Sequence, residues 1–305
     1  MSHLLPYYPP EADQEETTRF MLNRGRLSIS GMQAKYSMVL EKNLLRLAEK
    51  GEQSTYILKP VPHGFRRVAM TPANEHLTMQ IASQIYKIRA AVNGLVFFRN
   101  GEPAYLTRRF DVDAQGRKRS VEDFASLAGR TEENAGMNFK YNYSYEGIGE
   151  LIKNHVGAWR VEIEKLYRLV VFNFLFSNGD AHLKNFSLME TDNGDYLLSP
   201  AYDLLDTRLH IEEEDFFALD DDLFKDGYWS DCRIMSAQHH PCREDFLEFG
   251  RRIGIPEKRT LKLLEPFLTR QPGVEELVDR SFLDAECKAL YLSHYRERLA
   301  MLNKV

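Results

Sequence analysis

The stretch Phe172–Leu188 reads FNFLFSNGDAHLKNFSL and changes character halfway along. Its first half is apolar and has the composition of a buried helix. Its second half is dense in charged and amide side chains, namely Asn178, Asp180, His182, Lys184 and Asn185. An ordinary surface loop does not need such a set, so we interpret the stretch as the catalytic loop of a phosphotransferase.

Asp180 and Asn185 have the spacing of the catalytic Asp and the metal-binding Asn in the protein-kinase catalytic loop. Phosphoryl transfer also needs a cation that spreads the phosphate charge, and Lys184 is a candidate for it. Short polar residues in this pattern also occur in loops where they only satisfy turn backbone. The spacing therefore needs support from the residues around it.

That support comes from a predicted β-hairpin after Asn185, with its turn at Asn193-Gly194. A hairpin returns the chain to where it left, which would bring Asp203 beside Asn185. Carboxylate and amide oxygens are suitable ligands for Mg²⁺. His182 is predicted to pack inward and hold the loop through hydrogen bonds, in preference to acid–base catalysis.

Two upstream features add phosphate-binding candidates. Ser28, Ser30 and Gly31 precede a predicted strand, where hydroxyl and backbone N–H groups can face phosphates, although they also suit an ordinary turn. Lys59 ends an apolar strand, like the lysine that contacts the α- and β-phosphates in kinases. Glu75 is assigned to a favourable interaction with a helix dipole in preference to an ion pair with Lys59.

Periodicity divides the chain into a β-rich part and a helical part. Strands are predicted at 34–40 and 54–59 and in a hairpin around Asn100-Gly101, with a helix over 71–91 between them. Further helices are predicted over 121–127, 144–154, 162–176, 243–253, 257–269 and 283–302. We therefore expect an α+β, two-lobed fold, with a loose leader at 1–20, a small N-lobe at 21–110 and a larger helical lobe at 111–305.

Composition indicates a globular cytoplasmic protein. The chain has 305 residues, of which 43% are hydrophobic, and a net charge of −5. This charge gives no general attraction to nucleic acid, so no direct binding to it is expected. The sequence contains no secretory signal or long apolar run, and its three cysteines form no paired framework.

Two further clusters receive structural interpretations. Cys232, His239, His240 and Cys242 match no recognised zinc spacing. The acidic run made of residues 212–215 and 220–222 is interpreted as a solvated loop, with substrate docking as the alternative.

Taken in order, these motifs resemble the HipA-like serine/threonine kinases, the toxin kinases of bacterial toxin–antitoxin operons. The resemblance runs from about Leu22 onward and is carried by SISGMQAKYSM, YILKP, NEHLTMQIA, TRRFD, NGDAHLKNFSL and SPAYDLLDT. It implies a two-lobed kinase that uses ATP and Mg²⁺ to phosphorylate a protein serine. The acceptor would typically be an aminoacyl-tRNA synthetase, so that translation stops.

The resemblance also implies roles for individual residues. Asp180 would be the catalytic base, Asn185 and Asp203 the Mg²⁺ ligands, and Lys59 the lysine on the ATP phosphates. The segment from Arg108 to Phe110 would form the hinge, with backbone groups meeting adenine.

The serine-containing loop begins within the first 30 residues, without the extra N-terminal subdomain of full-length HipA proteins. The chain therefore resembles the shorter HipT type, which implies a HipS-like small protein and a HipB-like DNA-binding antitoxin as partners. Ser28 and Ser30 would be autophosphorylation sites, where a phosphate would compete with ATP or pull the loop away. Tryptophanyl-tRNA synthetase is the first expectation for the acceptor, before glutamyl-tRNA synthetase.

Two alternatives stay open at this point. One is a small-molecule phosphotransferase of the aminoglycoside-kinase type, which shares the Asp-to-Asn loop. The other is an ATP-binding scaffold in an antitoxin repressor complex.

Overall fold

A computed structural model describes residues 3–7, 9, 33–212 and 215–304. Its first half is a five-stranded antiparallel sheet in the order β2-β1-β3-β5-β4. The strands are β1 (Tyr36–Glu41), β2 (Leu44–Leu47), β3 (Tyr56–Pro60), β4 (Asn93–Phe97) and β5 (Pro103–Arg108). Apolar side chains from one face of this sheet form a small separate core.

Helix α1 (Thr71–Gln84) connects β3 to β4 and starts with a proline in its first turn, where the missing N–H leaves nothing unpaired. Its buried side chains belong to the large hydrophobic core of the helical part. Asn74 exchanges two hydrogen bonds with the backbone of Asp206, at 2.8 and 3.1 Å. Helix α1 is therefore fixed to both parts of the molecule.

The second half is mainly helical. Its helices are α2 (Phe124–Leu127), α3 (Glu132–Ala135), α4 (Tyr145–His155), α5 (Trp159–Leu175), α6 (Asp231–Met235), α7 (Arg243–Arg252), α8 (Glu257–Leu268), α9 (Pro272–Arg280) and α10 (Ala285–Leu302). A three-stranded antiparallel sheet lies against them, made of β6 (Val121–Asp123), β7 (Ser187–Glu190) and β8 (Tyr196–Leu198). The predicted α+β class is confirmed.

The predicted hairpin after the catalytic-loop stretch is present as β7 and β8. Leu188 pairs with Leu198 and Glu190 with Tyr196. Gly194 takes a φ of 78° in the turn, which glycine adopts without steric cost. The chain therefore returns alongside itself before it reaches Asp203.

Several predicted elements were wrong in type or extent. The helix expected over 121–127 begins as strand β6, because 121–123 pair with β7 before Asp123 caps the short helix. Strand β2 and helix α9 were not predicted, and helix α1 stops at Gln84 instead of reaching 91. Pro272 at the first turn was the available signal for α9.

Two segments expected to be loose contain packed residues. Leu5 is buried, and its N–H donates to the carbonyl oxygen of Phe97 at 2.7 Å, so residues 3–7 extend the edge of the sheet. Between the two acidic stretches, residues 217–219 are buried, and Phe217 and Leu219 join the helical core. The acidic side chains of Asp215, Asp220 and Asp221 are exposed, as predicted.

Over the part of the chain that the structure covers, no helix is both long and apolar enough to cross a bilayer. Over the same part, no cluster of three or more His, Cys, Asp or Glu residues is arranged to hold a metal ion. Cys242 is the N-cap residue of helix α7, and its N–H donates to Asp245 Oδ2 at 2.9 Å.

Candidate active site

A cavity of about 950 Å³ lies between the five-stranded sheet and the helical part. Residues from both parts form its walls. The predicted site residues among them are Lys59, Arg108, Phe110, His182, Lys184, Asn185 and Asp203. Ser28, Ser30 and Gly31 fall outside the described residues, so their predicted role stays a prediction.

Lys59 lies between two carboxylates at the inner end of this cavity. Its Nζ is 2.7 Å from Glu75 Oε1 and also forms an ion pair with Asp203 Oδ1. Strand β3 supplies the lysine, helix α1 supplies Glu75, and the segment after β8 supplies Asp203. The interpretation of Glu75 as a dipole-stabilising charge was wrong, because the side chain is buried and paired with Lys59.

Burial is the largest influence on the pKa of Lys59 and lowers it, but Asp203 and Glu75 outweigh burial, so the pKa is raised overall. Burial raises the pKa of Glu75 to about 7, and the nearby charge of Asp203 adds to the shift. One lysine does not neutralise two carboxylates. Lys59 is therefore shared between Glu75 and Asp203.

This shift predicts a pH dependence of stability. The folded protein holds the Glu75 proton more tightly than the unfolded chain, whose pKa is near 4.5. The stabilisation from this proton is complete below pH 4.5 and is lost as the pH rises through about 7, a change of up to about 3 kcal/mol. Urea unfolding of wild type and Glu75→Gln between pH 5 and pH 8 measures it. The wild type should lose more stability than the variant over this range, and equal slopes would contradict the assignment.

Asn185 and Asp203 meet as the hairpin predicts. Asn185 Nδ2 is 3.4 Å from Asp203 Oδ2, although the two residues are 18 positions apart in the chain. Asp203 has a φ of 55°, an uncommon conformation for a residue other than glycine. Asn185 and Asp203 each carry a side-chain oxygen that can bind a metal ion, and both line the cavity. This pair fits Mg²⁺, which takes few protein ligands and completes its coordination shell with phosphates and water.

Lys184 and Lys140 add positive charge to the same cavity. The ammonium group of Lys184 lies 6.0 Å from the ring centre of Phe139. Burial lowers the pKa of Lys140; the negative charge of Asp180 opposes that shift, and the positive charge of Lys184 adds to it. These lysines suit an anionic ligand.

Asp180 is buried and accepts a hydrogen bond from the hydroxyl of Tyr141 at 3.0 Å. It is not among the residues that form the cavity wall, whereas His182 and Lys140 are. The carboxylate therefore lies just behind the wall of the cavity.

His182 is buried as predicted, but its ring does not hold the loop. Neither ring nitrogen has a hydrogen-bond partner within the described ranges. Nε2 lies 3.8 Å from Asp180 Oδ1, which is too far for a hydrogen bond. The backbone N–H of His182 donates to Asn185 Oδ1 at 3.1 Å instead. Burial, helped by the charge of Lys140, lowers the ring pKa well below its usual value, so the imidazole is neutral at pH 7.

The segment Arg108 to Phe110 also lines the cavity, at the end of β5. The ring of Phe110 stacks on that of Tyr202, with centroids 5.6 Å apart. Tyr202 is fixed in turn by a hydrogen bond from its hydroxyl to the carbonyl oxygen of Lys184 at 2.9 Å. Flat aromatic faces here suit a planar heterocycle.

Several residues at the site were not singled out from the sequence. Lys35 lies 4.0 Å from Asp203, Lys140 lines the cavity, and Tyr141 contacts Asp180. Lys35 directly follows the serine-containing loop, which was a usable signal for a phosphate cation. Lys140 and Tyr141 lie in an irregular segment whose pattern gave no signal.

The family model described as the HipA-like C-terminal domain matches residues 27–272. A protein of Haemophilus influenzae, provisionally named a kinase, is 27% identical over 311 residues, which is 99% of this chain and 89% of that protein. The serine/threonine-protein kinase toxin HipA of Shewanella oneidensis is 24% identical over 296 residues, covering 90% of this chain and 62% of the toxin.

A solved structure of Shewanella oneidensis HipA with HipB and its operator DNA aligns with this chain at a TM-score of 0.66 and 21% identity. The alignment covers 97% of this chain and 71% of that chain. At this identity the likeness shows a common fold, which confirms the expected two-lobed, HipA-like architecture.

Proposed function

This chain belongs to the HipA-like C-terminal domain family, and from that premise we propose that it is an ATP-dependent serine/threonine protein kinase that acts as a toxin. The observation that carries the proposal is the meeting of Lys59, Asn185 and Asp203 at one cavity. They come from three separate parts of the sequence. An ion-paired lysine beside a pair of oxygen donors is the arrangement that phosphoryl transfer requires.

In this proposal Lys59 binds the α- and β-phosphates of ATP, and Asn185 and Asp203 hold Mg²⁺. When bound, Mg²⁺ offsets charge on the phosphate oxygens. Phe110 and Tyr202 hold the adenine, with the Arg108 segment as the hinge. Lys184 and Lys140 then face the end of the cavity where negative charge develops.

Asp180 accepts the proton of the acceptor hydroxyl as that oxygen bonds to the γ-phosphorus, and ADP leaves. The carboxylate lies behind the cavity wall, beside His182 and within hydrogen-bond reach of Tyr141. Distances in a ligand-free kinase shorten when substrates bind, so this position is compatible with a base.

The finer parts of the proposal follow the resemblance. The chain would be of the HipT type, with a HipS-like protein and a HipB-like antitoxin as partners, and would work in the cytoplasm. The acceptor would be an aminoacyl-tRNA synthetase, with the tryptophanyl enzyme first. Ser28 and Ser30 would be sites of autophosphorylation. Support for a toxin comes from the name of the Shewanella relative and from the HipB complex of the related structure.

Transfer of labelled γ-phosphate tests the acceptor. Purified chain, Mg²⁺ and labelled ATP are mixed separately with tryptophanyl-tRNA synthetase, glutamyl-tRNA synthetase and an aminoglycoside. We expect label on a serine of the tryptophanyl enzyme and on Ser28 or Ser30, both identified by mass spectrometry. Label on the aminoglycoside alone would contradict a protein kinase, and binding of ATP with no transfer to any acceptor would favour a scaffold.

His182 gives a further prediction. A buried polar ring without hydrogen bonds costs about 1–3 kcal/mol, so His182→Leu should raise the free energy of unfolding by about 1 kcal/mol. The same change should lower phosphate transfer by less than about threefold, far below the effect of losing an acid–base group, because neither ring nitrogen is exposed to the cavity. Urea unfolding and labelled transfer measure the two effects. A less stable variant would show that the imidazole holds the loop after all.

A further inference from the structure

An irregular segment at 138–143, outside the catalytic loop, contacts that loop at two points. The N–H of Leu183 donates to the carbonyl oxygen of Lys140 at 3.0 Å. The hydroxyl of Tyr141 donates to Asp180 Oδ1, also at 3.0 Å. Tyr141 and Asp180 are 2% and 5% exposed, so water competes little for this bond.

The same segment is also fixed on the side of the acidic run. The carbonyl oxygen of Tyr141 accepts a hydrogen bond from Asp220 N at 2.8 Å, and that of Tyr143 accepts one from Asp221 N at 3.2 Å. The ring of Tyr141 packs edge-on against His182, with centroids 5.2 Å apart, and the ammonium of Lys140 lies 5.0 Å from its ring centre. Contacts to its backbone and to its ring therefore fix Tyr141, and with it the position of its hydroxyl.

We infer that Tyr141 is a positioning residue for Asp180, an inference that rests on the proposed function. An aspartate side chain rotates about two bonds, and a carboxylate that takes a proton must present its lone pairs in one direction. The Tyr141 hydroxyl binds one carboxylate oxygen and stops this rotation. Tyr141 does so through Asp180 and touches neither nucleotide nor acceptor.

The chain offers a matched control in Tyr145. Its hydroxyl is also buried and donates to the same loop, but to the carbonyl oxygen of Ala181 at 2.8 Å. Tyr141→Phe and Tyr145→Phe each remove one buried hydroxyl that bonds to the loop. Only the first removes a hydrogen bond to the carboxylate.

The test measures steady-state transfer of labelled γ-phosphate by both variants. We expect Tyr141→Phe to lower kcat about 10-fold, with the KM for ATP within about twofold of wild type. Tyr145→Phe should keep kcat within about threefold. An unchanged kcat in Tyr141→Phe, or equal losses in the two variants, would overturn the inference.

A double mutant separates this inference from the proposed function. Because Tyr141 acts through Asp180, Tyr141→Phe in an Asp180→Asn background should cause no more than about a twofold further loss. A full additional 10-fold loss would mean an independent role. If the wild type transfers no phosphate, the proposed function fails. If Asp180→Asn alone keeps wild-type activity, Asp180 is not the base, whereas a silent Tyr141→Phe beside an inactive Asp180→Asn removes only the role of Tyr141.

Discussion

Replacing Asp180 with asparagine is expected to lower the kcat of phosphate transfer about 1,000-fold. The amide has nearly the same shape but cannot take the proton of the acceptor hydroxyl, and positioned proton transfer contributes about 100- to 10,000-fold. Affinity for ATP should stay within about twofold, since neither Lys59 nor Asp203 is changed. Labelled transfer and equilibrium binding of ATP measure the two quantities.

A useful control for Asp180→Asn is Asp195→Asn, in the turn of the β7–β8 hairpin. Asp195 is exposed and bonds only within that turn, to Thr191, among the contacts of the described chain. The Asp195→Asn variant should keep phosphate transfer within about twofold of the wild type. Growth of cells that express each variant extends the test, because toxicity should be lost with Asp180→Asn alone. If Asp180→Asn still transfers phosphate at the wild-type rate, Asp180 is not the catalytic base.

Replacing Lys59 with methionine is expected to destabilise the fold by about 3–5 kcal/mol and to lower transfer at least about 100-fold. Glu75 is 2% exposed and would be left without its cation, so it must either stay an unpaired carboxylate or take up a proton, and breaking a buried ion pair in this way is costly. The catalytic loss follows because a fixed cation on the ATP phosphates disappears. Urea unfolding and labelled transfer report the two effects separately.

The double variant Lys59→Met, Glu75→Gln separates stability from chemistry. Removing the second charge should restore at least half of the lost stability, since a neutral amide replaces an unpaired carboxylate. Transfer should stay low. Recovery of both stability and transfer would show that Lys59 is a structural residue, and an unchanged stability in Lys59→Met would contradict the buried ion-paired cluster.

Local sequence patterns were sufficient to predict the hairpin that brings Asp203 to Asn185. The Asn193-Gly194 turn limits how the flanking strands pair, so the meeting of two distant residues follows from short-range rules. The residue types and spacing of the loop also predict its chemistry, and the structure places His182, Lys184 and Asn185 on the cavity wall.

Contacts made only in three dimensions were not predictable in this way. Glu75 was assigned from its place near a helix start, yet strand β3 brings Lys59 to it, and no local pattern records that approach. Tyr141 lies in a segment without periodicity, so nothing in the sequence marked its bond to Asp180. Strand β2 was missed because its short run sits beside turn-forming residues, and its pairing with β1 decided its structure.

Calorimetric titration of ATP in the presence of Mg²⁺ tests most directly whether Lys59, Asn185 and Asp203 form one nucleotide site. Wild type should bind one ATP per chain, and Asp203→Asn or removal of Mg²⁺ should weaken binding at least about 10-fold. Asp180→Asn, which leaves these residues in place, should bind as wild type does. Failure of the wild type to bind ATP, or undiminished affinity in Asp203→Asn, would contradict the account.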